Sequence, residues 1–112
     1  MGFTRYWNQP TKFKDEEWKI LSQEVIKNYN EEEQKKYECR IIVFGDRLII
    51  EDQSKNFYED FRLYKEIRKP LYDGQRVAFN FVKTNQNSYD QPIKNILERA
   101  SQIKEDFTCS SD

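Results

Sequence analysis

Arg5, Tyr6 and Trp7 stand side by side in the opening stretch MGFTRYWNQP, and together they offer two flat rings and a cationic fork. Ring faces stack on nucleobases for roughly 1 to 3 kcal/mol each, and a guanidinium meets phosphate through paired N–H donors. Far along the chain lies a second group: Lys83 and Thr84, followed by Tyr89 and Asp90 where a helical pattern begins. A lysine and a hydroxyl beside a helix N-terminus suit an anion. Tyr89 adds a stacking face, and the Asp90 carboxylate either accepts from a base amino group or caps its helix. Ser110 and Ser111 supply small hydroxyls near the end of the sequence. Each of these groups also has a plain structural role. On a strand Tyr6 and Trp7 point to opposite faces, so one of them packs inside.

The same inventory argues against catalysis. The chain has no histidine, which removes the commonest general base and the usual partner of a nucleophilic Ser or Cys. No glycine-rich phosphate loop precedes a helix, so an ATPase is excluded. Cys39 and Cys109 are too far apart for zinc-ligand pairs and read as small buried residues, with a disulfide between them as the minor alternative. No catalytic residue, metal site or cofactor is therefore expected. A net charge of −1, from 19 basic and 20 acidic residues, gives no global field for long nucleic acid or an anionic membrane. No apolar run approaches the roughly 20 residues of a membrane span, and no signal core opens the sequence, so a cytoplasmic location is expected.

The elements that must position these residues follow from periodicity. Residues 2–7 alternate and favour a strand. Trp18, Leu21, Val25 and Tyr29, widened by Ile26, recur at helical spacing behind the acidic first turn Asp15–Glu17. NEEEQKKYE reads as a solvated helix extension or loop. CRIIVFGDRLIIED is a hairpin turning at Gly45-Asp46. Between Gln53 and Gly74 a strand and loop compete with a short helix and turn. Within this stretch Arg62, Lys65, Arg68 and Lys69 alternate with rings, but Glu59, Asp60 and Glu66 weaken any basic patch, and a solvated edge is the first reading. QRVAFNFVKT places Val77, Phe79 and Phe81 on one face of a central strand. A second long helix starts at Asp90-Gln91-Pro92 with the stripe Ile93, Ile96, Leu97, Ala100 and Ile103, and FTCSSD closes as a strand. At 112 residues this makes one α+β domain, 1–112: an antiparallel or mixed sheet of four to six strands with two helices packed on one face.

Three pieces, MGFTRYW, KTNQNSYD and SSD, occur in the order found in a widespread family of small phage and prophage proteins. The chain resembles that family, whose members open with Met-Gly-Tyr-Thr-His-Tyr-Trp and carry Lys-Thr, Tyr-Asp and Ser-Ser-Asp segments. Arg5 stands where the family has His, Gln86 where an Arg often follows Lys-Thr, and Ser88 where Pro precedes the Tyr. These departures move a fixed positive charge from one loop to the other. Small phage domains of this kind are similar in size and aromatic content to viral sponge proteins, the anti-CBASS sponges among them, which hold cyclic nucleotide signals without cleaving them. The resemblance implies a phage immune-evasion protein that sequesters a cyclic nucleotide defence signal. The alternative is a phage inhibitor that binds a host protein through an aromatic surface. In either case the aromatic surplus implies a homo-oligomer, a dimer or tetramer.

Overall fold

The computed structural model describes residues 2–67 and 78–112 and is α+β. Strand β1 (Thr4–Asn8) leads to helix α1 (Asp15–Asn28), the short helix α2 (Glu31–Lys36) and strands β2 (Cys39–Val43), β3 (Arg47–Asp52) and β4 (Phe61–Tyr64). After the undescribed residues come β5 (Phe79–Lys83), α3 (Asp90–Ile103) and β6 (Thr108–Ser111). The expectations on Arg68, Lys69, Tyr72 and Val77 lie outside the described residues.

Among the described residues the strands form two antiparallel three-stranded sheets, β5-β1-β6 and β2-β3-β4, rather than one continuous sheet. In the first, β1 is central: Tyr6 pairs with Phe81 on one side and Ser110 on the other, and Trp7 pairs with Asn80 and Cys109. This corrects the reading of β5 as a central strand, because among the described residues β5 lies at an edge. The hairpin forms as expected, with Phe44–Asp46 joining β2 to β3.

Helix α1 starts where Lys14 donates its backbone N–H to Glu17 Oε1 at 2.7 Å, and its first turn is acidic, which suits the helix dipole. It buries Trp18, Leu21 and Val25, whereas Ile26 is 63% exposed and does not widen the stripe. Helix α3 buries Ile93, Ile96, Leu97 and Ala100. The two helices are tied by a fork in which Arg99 Nε and Nη2 donate to Glu24 at 2.6 and 2.8 Å. Trp7, Phe13, Phe61, Phe107 and Tyr89 join the helical stripes in a single apolar core. The two cysteines are free; Cys39 is buried and Cys109 half-buried. Burial pushes the Cys39 thiol up to about 11, so it behaves as a small apolar residue. Among the described residues no helix is long and apolar enough to cross a membrane.

Candidate functional site

Alternation along β1 sends Arg5 and Trp7 to the inner face, towards α3, and Thr4, Tyr6 and Asn8 to the outer face. Trp7 is 4% exposed and packs edge-on against Phe61 with ring centroids 5.1 Å apart. Its ring is core and presents no stacking face. Arg5 meets the start of α3: Nε donates to Asp90 Oδ1 at 2.9 Å and Nη2 to Oδ2 at 2.7 Å. The fully buried Thr84 hydroxyl donates to the same Oδ1 at 2.7 Å. Hydrogen bonding to Asp90 raises the Arg5 pKa further, against the burial that would lower it. Asp90 therefore receives an arginine and a threonine from other elements instead of capping α3; the cap residue is Tyr89, with no side-chain bond to the helix.

Tyr89 is fully buried as well, its hydroxyl donating to the Glu59 carbonyl at 2.7 Å, and desolvation raises its pKa well above the ordinary value. The loop entering α3 is a tight turn in which Asn87 N–H donates to the Thr84 carbonyl while Asn85 and Gln86 take positive φ of 53° and 55°. Two consecutive residues at positive φ make a type I′ turn. Asn87 Nδ2 then donates to Asp52 Oδ2 at 2.8 Å and to the Asn56 carbonyl at 3.0 Å. Asp52 also accepts the backbone N–H groups of Ser54 and Tyr58. These bonds brace residues 53–59, where Phe57 stands 73% exposed.

On the inner side a cleft of about 190 Å³ opens between β6 and α3, lined by Arg5, Lys94, Glu98, Cys109, Ser110 and Ser111. Its charges balance, since Arg5 is neutralised by Asp90 and Lys94 shares the rim with Glu98. That balance makes it a polar cleft and not an anion trap.

The outer face of β5-β1-β6 is different. Tyr6, Phe79 and Phe81 lie along it as a row: Tyr6 and Phe79 stack at 5.8 Å with 27° between planes, and Phe79 and Phe81 centroids are 6.5 Å apart. Phe79 and Phe81 are 55% and 56% exposed. Lys83 shares this face, two residues beyond Phe81 on the strand and opposite Thr4. Tyr6 Oη donates to Asp112 Oδ1 at 2.9 Å, which raises the Tyr6 pKa and holds its ring in place. A shallow groove of about 200 Å³ runs past Tyr6, Asn8, Phe79, Thr108 and Ser110.

The residues singled out in the sequence thus fall into three groups, with Ser111 apart from them. Arg5, Thr84 and Asp90 come together, but to bond one another. Trp7 and Tyr89 are core. Tyr6, Lys83 and Ser110 share the open outer face, while Ser111 pairs with Arg5 beside the inner cleft. The sequence reading missed Phe79 and Phe81 as outward rings, although the polar Asn80 between them marks a strand with two distinct faces. Among the described residues no cluster of three or more acidic, cysteine or histidine side chains is gathered as for a metal ion. Compared with protein-family models, curated proteins and solved structures, the chain matches none of them.

Proposed function

We propose that this protein is a non-catalytic binder that takes a flat ligand, a small nucleotide, on the outer face of its β5-β1-β6 sheet. The observation that carries the reading is the row of Tyr6, Phe79 and Phe81 on one sheet face, the two phenylalanines more than half exposed, with Lys83 on the same side. Monomeric proteins seldom expose adjoining rings without a use for them. Each ring offers a base a stacking surface, and Lys83 supplies a point charge for a phosphate. Asn8, Thr108 and Ser110 add donors and acceptors at the groove. Within the nucleotides, cyclic defence signals are the class that the resemblance to phage proteins favours, which makes the activity sequestration in the cytoplasm of a host bacterium. Titration calorimetry against cyclic dinucleotides, cyclic trinucleotides and cyclic ADP-ribose variants tests this. Binding that falls at least tenfold in Phe81→Ala is the expected result, and absence of heat with every ligand overturns it.

A second reading has its own support. Phe57, held out on a braced loop, has the form of an aromatic anchor for a protein partner. A host protein captured by the native chain but lost with Phe57→Ala, while nucleotides leave the melting temperature unmoved, would favour an inhibitor over a sponge.

A further inference from the structure

In an antiparallel sheet, residues alternate between exchanging backbone bonds with the neighbour and pointing those groups away. The bond from Asp112 N–H to the Thr4 carbonyl fixes the phase for β6. Thr108 and Ser110 face β1, and Cys109 and Ser111 direct their N–H and C=O outward. Among the described residues each of the other three edges has one outward backbone group taken up by a side chain. On β2, Gln34 Oε1 accepts the outward N–H of Ile41 at 2.9 Å. On β4, Gln9 Nε2 donates to the outward Tyr64 carbonyl at 2.9 Å. On β5, Glu59 Oε1 accepts the outward N–H of Lys83 at 2.9 Å. The outward groups of β6 have no such guard among the described residues. Nor does Thr108–Ser111 carry a lysine, proline or bulge, the usual devices against edge pairing.

We propose that two copies of this chain pair through β6, antiparallel and centred on Ser110, so that the two β5-β1-β6 sheets become one six-stranded sheet. This rests on backbone geometry and not on the nucleotide reading. The register follows from the outward groups. Placing Cys109 opposite Ser111 of the second copy forms four backbone bonds, and shifting the centre by one residue brings in Phe107, whose N–H is already given to the Lys104 carbonyl. In this register Ser110 faces its own copy and Thr108 faces Asp112, so no like charges meet. The partner is therefore self-complementary, as a two-fold interface requires. The outer faces of both copies then lie on the same side, and the two aromatic rows flank one surface. A short edge buries less than the roughly 1,200 Å² of a stable interface. The dimer is accordingly weak, half-formed on the order of 10 to 100 µM.

Sedimentation velocity over a concentration series reads the equilibrium directly, and the expected result is a monomer–dimer shift in that range. Ser110→Lys sets two lysines side by side across the two-fold axis while leaving β1 pairing intact. It should weaken the dimer at least tenfold with an unchanged melting temperature. In a Cys109→Ser background, Ser110→Cys places two thiols at a non-hydrogen-bonded pair about 4.5 Å apart at Cα, a span that a disulfide bridges. Mild oxidation should then give a covalent dimer. Thr108→Cys should not, because the two thiols would sit about 14 Å apart along the strands. A chain that stays monomeric throughout, a dimer indifferent to Ser110→Lys, or equal cross-linking at both positions would overturn the pairing. If Ser110→Lys fails to fold, the two cysteine variants decide alone.

Discussion

At the scale of single residues, the Arg5–Asp90 fork shows how a group suited to ligand chemistry is taken up by the fold. Both carboxylate oxygens are engaged, and the side chains of Arg5 and Asp90 keep only 14% and 12% of their exposure. A charge so placed becomes a burden when its partner is removed, because water reaches it poorly. Arg5→Met leaves Asp90 with only the Thr84 hydroxyl, and the expected loss is about 3 kcal/mol, or roughly 10 to 20 °C in melting temperature. Arg5→Lys restores the charge but not the fork and should recover about half. Thermal denaturation of the two variants checks both; equal stability of Arg5→Met and native protein would show that the pair is merely superficial. The sequence made the meeting of these groups foreseeable, since an arginine on the first strand and polar residues at a helix mouth are natural partners. It did not reveal that they would satisfy one another. That depends on the register that sets Arg5 beside Val82, two residues from Thr84.

Among elements, the loops around α3 concentrate both strain and buried bonding. Gln86 holds a φ of 55°, which costs an L-residue roughly 1 to 2 kcal/mol. Gln86→Gly should therefore stabilise by up to about 1 kcal/mol after the greater freedom of unfolded glycine is set against the gain, and the Asn-Gly pair so formed would match the favoured sequence of this turn. Calorimetric melting tests it. Asp52 governs the facing loop. Burial works to raise its pKa, but hydrogen bonds from Asn87, Ser54 and Tyr58 outweigh that and hold it below the ordinary carboxylate range. The unfolded chain takes up this proton first, so the stabilisation is complete above about pH 4 and disappears as pH falls through the folded value. Asp52→Asn should be less stable than the native protein at pH 7, with the difference closing as pH falls through the folded value; a constant difference would show that charge is not the cause. The helices were legible because a one-sided stripe has a single possible inside. Strand β5 was not: its alternation separates Phe79 and Phe81 from Val82, but which set faces inward is decided by Trp7 on β1, and that is a matter of tertiary pairing.

For the molecule as a whole, the question is what makes two small sheets one cooperative unit. Among the described residues β4 and β5 share no ladder, and side chains together with one backbone bond do the joining. Trp7 lies against Phe61, Gln9 bonds the Tyr64 carbonyl, and Phe13 gives its N–H to the Lys65 carbonyl at 2.9 Å. The segment after β1 thus crosses to β4 and inserts Phe13, itself fully buried against Trp18 and Phe107, into the core between sheets and helices. A three-stranded sheet is near the lower limit of independent stability, so neither should persist once this contact is lost. Phe61→Ala removes the ring on which Trp7 rests and should cost about 4 kcal/mol. Its signature should be distributed: native-state hydrogen exchange should show protection falling by the same free energy in β3 and in β1, because both report one global opening. Were β3 alone to lose protection while β1 kept its native value, the seam between β4 and β5 would be a boundary between separate folding units, and the open aromatic face would belong to a sheet that stands without the other.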